Sequence, residues 1–234
     1  MKKHLERVIR HVEAPTDETR ELMSVGTMPI PFFGNIETAE ILTVGVNPAS
    51  GEFLNRNWPQ TKATPSYLEL RLRNYFRLAT PKPYRWFLKW EAGLNILNDS
   101  SYHENAAHLD LSPRATKPMR ELPEEIFLAM VEQDLKLFFE TISLCRKARV
   151  LLLAGTVTGQ FYMNEFLQKH AGKFGFELQG EFERRTGGRM TCRHTLVSKK
   201  TSLPVFFFSC GPSYDSDVLF DLISRRQSEI ISCL

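Results

Sequence analysis

Apolar residues recur along this chain at two different periods, and the switches between them mark out its elements. Residues 5–12 carry helical spacing, and Thr16 followed by Glu18 and Thr19 predicts the start of a second helix, which Gly26 stops. Pro29-Ile30-Pro31-Phe32-Phe33-Gly34-Asn35 predicts a loop with buried aromatics, and the apolar run 39–46 predicts a strand that ends at Asn47-Pro48. Helical spacing returns over residues 67–78 and 84–97, which Pro81 and Pro83 separate. A second short strand is expected over 106–111, broken by Ser112-Pro113, before a long amphipathic helix over 124–146 that Pro123 introduces. The run 150–155 suits a strand buried on both faces, and residues 158–170 are helical in pattern. A fourth strand over 204–210 runs into Gly211-Pro212-Ser213-Tyr214, and a helix over 217–231 closes the chain.

Strands alternating with helices predict the α/β class, as a three-layer sandwich with a central four-stranded parallel sheet flanked by helices. Residues 1–234 fit one domain, with 1–26 as a helical N-terminal extension. Residues 182–197, centred on Gly187-Gly188, predict a basic hairpin added to the sheet. In such sheets ligands gather at the carboxyl ends of the strands. The sequence at those ends is Asn47-Pro48, Asp110-Leu111-Ser112-Pro113, Gly155-Thr156 and Gly211-Pro212-Ser213.

Composition narrows the picture. Hydrophobic residues make up 42% of the chain and charged residues 24%, which is enough for a core and gives no sign of disorder. The longest apolar runs, 150–154 and 205–208, are too short to span a bilayer, and Met1-Lys2-Lys3 leads into a charged stretch, so a cytoplasmic protein without a membrane partner is expected. Cys145, Cys192, Cys210 and Cys233 are scattered with no Cys-x-x-Cys pair, and neither His108 nor Cys192-x-His194 supplies a recognisable ligand set. Reduced thiols, no metal and no other cofactor are expected, in a monomer. The phosphate-loop and dinucleotide fingerprints are absent from residues 45–51.

The net charge is only +3, so a nucleic-acid surface requires local clustering. Arg184, Arg185, Arg189, Arg193, Lys199 and Lys200 form the densest basic stretch, while Arg114 and Lys117 lie near the second strand's exit. Such side chains grip phosphates in a DNA-binding protein and form a solvated face in others.

Gly45-Val46-Asn47-Pro48 after an apolar strand resembles the Gly-x-Asn-Pro motif of the mismatch-specific and single-strand-selective branches of the uracil-DNA glycosylase superfamily. That family carries a base-reading Asn after its second strand, and His-Pro-Ser or Asn-Pro-Ser with a wedge residue after its last. Asp110-Leu111-Ser112-Pro113 and Gly211-Pro212-Ser213-Tyr214 stand at the corresponding places, so the resemblance spans about residues 29 to 216. It implies a metal-free, monofunctional DNA glycosylase that flips a base and hydrolyses its glycosidic bond.

Within that resemblance Asn47 positions a water through its side-chain carbonyl, because an amide is too weak a base to take the proton. Asn47 also suits a capped turn. Pro48 stiffens the loop, and Ser50 and Gly51 offer backbone N–H groups to a phosphate or base oxygen. Gly45 and Val46 border the base, and Phe53, or less readily Phe33, would cover its face, though both also fit the core, which with 17 Phe in the chain is the better reading of Phe33. Gly211, Pro212 and Ser213 would meet phosphate, and Tyr214 would fill the gap left by the flipped nucleotide.

Asp110 departs from the family's pattern. Uracil presents an N3–H donor and an O4 acceptor, which an Asn amide matches. A carboxyl that keeps a proton accepts from N4 of cytosine and donates to its N3. A modified cytosine is therefore the expected substrate, as for the anti-phage glycosylases of the superfamily that remove glucosylated hydroxymethylcytosine from viral DNA. A uracil or mismatch glycosylase and a non-catalytic DNA-binding protein are the alternatives, and Asp110 also suits a cap on the turn at Ser112-Pro113.

Overall fold

A computed structural model of the chain describes residues 1–54, 64–78, 85–118, 121–159, 161–180, 183–186, 189–210 and 216–234. Helix α1 (Lys2–Glu13) buries Leu5, Val8, Ile9 and Val12, one face at helical spacing. Helix α2 (Asp17–Leu22) is capped by Thr16, whose Oγ1 accepts from the Thr19 N–H at 3.2 Å. Next come β1 (Phe32–Phe33), β2 (Ile41–Gly45), the short α3 (Gly51–Leu54), and α4 (Pro65–Arg73), which has Thr64 as N-cap. They are followed by α5 (Arg85–Asn95), β3 (Ala106–Asp110), α6 (Glu124–Ile142), β4 (Val150–Ala154) and α7 (Met163–His170). The chain ends with β5 (Glu177–Gln179), β6 (Arg184–Thr186), β7 (Arg189–Val197), β8 (Ser202–Phe208), α8 (Ser216–Ser224) and α9 (Gln227–Ile231).

The α/β class holds, but the sheet is larger than the four parallel strands expected and is mixed. Among the described residues its eight strands run β1-β3-β2-β4-β8-β7-β5, with β6 also on β7. β2 pairs in parallel with β3 and β4, and β4 with β8, while β1, β5, β6 and β7 add antiparallel pairings. Two-residue β1 and three-residue β5 are too short to show a period in sequence. Of the hairpin expected over 182–197, the described residues form β6 and β7, which add to the sheet: β7 pairs with β8 from Thr191 to Val197 and carries the sheet outward.

Every residue of β2, β3 and β4 is buried, as strands covered on both faces require. Helix α6 turns Phe127, Met130, Val131, Leu135, Phe138 and Phe139 into the same core. Helix α4 ends at Arg73 rather than 78 and α6 at Ile142 rather than 146, and two further helices differ from their sequence pattern. α7 starts at Met163 rather than 158, because Val157 N–H bonds to Phe161 O at 2.8 Å and Thr158 Oγ1 donates to Glu124 Oε1 at 2.6 Å. The closing helix is broken at Arg226, whose buried guanidinium bonds Thr191 Oγ1 at 3.0 Å and Glu229 Oε1 at 2.8 Å. No helix among the described residues is long and apolar enough to cross a membrane.

Candidate active site

The carboxyl ends of β2 and β3 stay zipped beyond the strands. Gly45 is in register with Asp110, Leu111 N–H donates to Gly45 O at 3.0 Å, and Ser112 N–H donates to Val46 O at 2.9 Å. Farther along, Ala49 bridges Thr116, and Thr116 bridges Met23 of the segment after α2. The segment after β3 therefore holds the Asn47 loop and is itself backed by the segment after α2.

The Asn47 side chain is clamped by its amide nitrogen. Nδ2 donates to Thr116 Oγ1 at 2.9 Å, to the Arg114 backbone carbonyl at 3.2 Å and toward Pro48 O at 3.4 Å. Backbone carbonyls only accept, so they fix which end of the amide is nitrogen. The remaining carbonyl, Oδ1, has no hydrogen-bond donor among the described residues, and the residue is half-buried. Asn47 is thus a cross-loop clamp with a free acceptor, rather than a cap on its own turn.

Asp110 is 3% exposed at the end of β3. Its Oδ1 lies 3.4 Å from His108 Nε2, and its Oδ2 is buried without a hydrogen-bond partner among the described residues. Burial pushes the carboxyl above the ordinary carboxylate range, and the nearby imidazole offsets this only in part. Asp110 does not cap the following turn. Ser112 does, its Oγ accepting from Arg114 N–H at 3.2 Å.

His108 shares a strand face with Asp110 at the two-residue period of β structure. Its Nδ1 is 2.8 Å from Thr43 Oγ1, which is 2.6 Å from the Tyr102 hydroxyl. Burial holds the Tyr102 hydroxyl well above its usual pKa, so it stays neutral. The imidazole is boxed by the rings of Phe33, Trp86 and Phe87, at centroid distances of 6.1, 4.7 and 5.3 Å. Gly45 completes the enclosure: a Cβ there would lie 2.7 Å from Asp110 Oδ1 and 2.8 Å from His108 Nε2, so only glycine fits. Sequence reasoning missed His108, Thr43 and Tyr102. The alternation that puts His108 and Asp110 on one face of a buried strand was the available signal.

Other expected site residues separate into groups. Val46 is half-buried beside Asn47, Pro48 is buried, and half-buried Ser50 leads into α3, where Phe53 is half-buried against the core. Phe33 is 1% exposed, with Tyr75 and Phe87 edge-on to it, so it forms a wall behind His108 and offers no open face to a base. Gly211, Pro212, Ser213 and Tyr214 lie outside the described residues.

Arg114 is a correction. It is buried and turned inward: Nε pairs with Asp134 Oδ2 at 3.1 Å, while its terminal nitrogens donate to His11 O at 2.9 Å and Val12 O at 3.2 Å. Its donors are consumed inside the protein, so it cannot grip a phosphate. Lys117 is exposed, one residue past the Thr116 clamp.

The basic stretch is also divided. Arg185 and Arg189 lie on the β6–β7 hairpin, and the start of β7 stands beside the carboxyl end of β8, since Thr191 is in register with Phe208 and Ser209 N–H donates to Met190 O at 3.0 Å. This is the edge that carries Asn47 and Asp110. Lys199 and Lys200 lie in the turn at the opposite edge, roughly 20 Å away at ~3.3 Å per strand residue. Arg193, in mid-strand, lies 3.7 Å from Glu229 and over the Phe206 ring.

No group of His, Cys, Asp and Glu among the described residues is arranged to hold a metal ion. The chain matches no protein-family model, and no curated protein is similar enough to it to count as a relative.

Proposed function

We propose that this protein is a monofunctional DNA glycosylase that flips out a modified cytosine and hydrolyses its N-glycosidic bond, leaving an abasic site. Glucosylated hydroxymethylcytosine of phage DNA is the type substrate, which makes antiviral defence the role. The observation that supports the reading is Oδ2 of buried Asp110, which has no hydrogen-bond partner among the described residues and lies one strand from Asn47 at the same end of the sheet. A buried carboxyl oxygen without a partner costs stability, and that cost is accounted for if a ligand supplies the missing hydrogen bond.

In this reading Asn47 Oδ1 orients the attacking water, its amide nitrogen being already held by the loop. Protonated Asp110 donates to N3 of the base and accepts from its N4 amino group. As the C1′–N1 bond breaks, its electron pair moves onto the base, and the enclosed polar groups stabilise that charge. The water supplies the hydroxyl at C1′, and its proton ends on the released base. Lys117, Arg185 and Arg189 provide the phosphate contacts.

The test is incubation of the protein with duplexes containing glucosyl-hydroxymethylcytosine, cytosine, uracil or a mismatch, scored by strand cleavage at abasic sites and by mass spectrometry of the released base. Release of the modified cytosine alone, abolished in Asn47→Ala, is the expected outcome. Release of uracil alone assigns the same chemistry to a repair enzyme. Binding without base release from any duplex, even with protein in excess, marks a non-catalytic DNA-binding protein.

A further inference from the structure

Behind Asp110 runs a chain of buried polar groups that the proposed reaction leaves unused. Tyr102, Thr43, His108 and Asp110 are each at most 4% exposed. Thr43 Oγ1 stands 2.6 Å from the Tyr102 hydroxyl and 2.8 Å from His108 Nδ1, but 3.4 Å from the Ala107 carbonyl. A threonine hydroxyl has one proton to give. The neutral Tyr102 hydroxyl has no other acceptor among the described residues, so it donates to Thr43, and with the carbonyl at the limit of hydrogen bonding the Thr43 proton goes to Nδ1. With Nδ1 accepting, the imidazole proton sits on Nε2, which faces Asp110 Oδ1 at 3.4 Å.

We propose that His108 is the positioning residue that selects the base: held as its Nε2–H form by Thr43 and Tyr102, it donates to Asp110 Oδ1 and leaves Oδ2 to carry the acid proton toward the base. This rests on the reading of Asp110 as the residue that meets the flipped base. Occupation of Oδ1 by a donor breaks the symmetry of the carboxyl. Oδ2 then presents O–H to N3, while the second lone pair of Oδ1 accepts from the N4 amino group. The opposite tautomer would put the Nε2 lone pair against Oδ1 and pull the acid proton inward, erasing the donor that cytosine requires.

The surroundings leave this contact little competition. Glu91 of α5 meets only the Tyr102 end of the chain, accepting from Tyr102 N–H at 3.1 Å. β2 brings Gly45, β1 brings Phe33, and α5 brings Trp86 and Phe87. Desolvation of Asp110 favours the acid form that this arrangement uses.

The experiment compares wild type, His108→Phe and His108→Gln on a duplex with one excisable modified cytosine. Phe fits the aromatic box but donates nothing, so kcat/KM falls about ten- to a hundredfold. The alkaline limb of the pH profile moves up, because a donor that favours the carboxylate is lost. Gln, whose amide reaches the Nε2 position, restores the limb and most of the rate. Imidazole ¹⁵N shifts of the wild type read the tautomer directly, with Nε2 protonated and Nδ1 bare, and they decide the matter should His108→Phe not fold. A proton on Nδ1 overturns the inference, as does a His108→Phe variant with wild-type rate and pH profile. Wild-type protein that releases no base overturns the glycosylase reading itself and this inference with it.

Discussion

Two aspartates lie buried on either side of the Ser112-Pro113 turn, and they are treated in opposite ways. Asp134 on α6 is fully buried and fully partnered: Arg114 Nε at 3.1 Å, Ser112 Oγ at 2.6 Å and His11 Nε2 at 2.5 Å. It ties α1, α6 and the β3 exit loop together. Asp110 is as deeply buried, yet it has one long contact and an oxygen with none. A buried carboxylate matched by charge and hydrogen bonds is architecture. A buried acid left unmatched costs stability, and functional sites tolerate such costs.

The largest effect is expected where that mismatch is removed. Asp110→Asn replaces the acid with an amide of the same shape, and excision of modified cytosine should fall on the order of a thousandfold if one pocket group supplies ~4 kcal/mol. The melting temperature should hold or rise. Unchanged excision would sink the assignment of Asp110 to the base. Asp134→Ala sharpens the contrast from the other side. It leaves the Arg114 guanidinium buried without its charge partner, and about 3–5 kcal/mol of stability should be lost in chemical denaturation. A loss below ~1 kcal/mol would show the ion pair to be dispensable.

A smaller effect appears in the pH dependence of stability. Asp110 binds its proton more tightly folded than unfolded, so it contributes a stability that grows as pH falls through its raised folded pKa and levels off below the ordinary carboxylate range. The slope reaches at most about 1.4 kcal/mol per pH unit, and Asp110→Asn should remove it. Parallel curves for the two proteins would mean that Asp110 is not perturbed by folding. The smallest effect concerns the arginines, which repeat the contrast: Arg114 is spent inside, while Arg189 is exposed beside the site. Arg189→Glu should weaken DNA binding and reduce the slope of log affinity against log salt by about one, whereas Lys199→Glu at the far edge should leave both unchanged. Equal effects from the two would place the DNA path elsewhere.

Much of the frame was legible because it rests on period. The core face of α1, the all-buried strands β2, β3 and β4, and the Thr16 cap are written in the order of apolar and polar residues. β1 and β5 were not, since two or three residues have no period, and pairing partners across the sheet gave them their state. The basic stretch misled for a related reason: residues close in sequence are carried to opposite edges when a strand runs the height of a sheet. Arg114 misled because an exposed and a buried guanidinium look alike until α6 supplies Asp134.

Sequence alone determined that Asn47 and Asp110 end strands of an α/β sheet, because strand propensity and the breaks at Pro48 and Pro113 are local properties, while the pairing of those strands side by side belongs to the tertiary structure. What each residue is able to do was decided by tertiary structure. The acceptors for Asn47 come from residues 114 and 116, and the environment of the His108–Asp110 pair comes from Gly45, Thr43, Tyr102 and the rings of Phe33, Trp86 and Phe87, drawn from separate stretches of the chain. Hydrogen-bond direction and desolvation depend on neighbours in space, and only the folded chain brings those neighbours together.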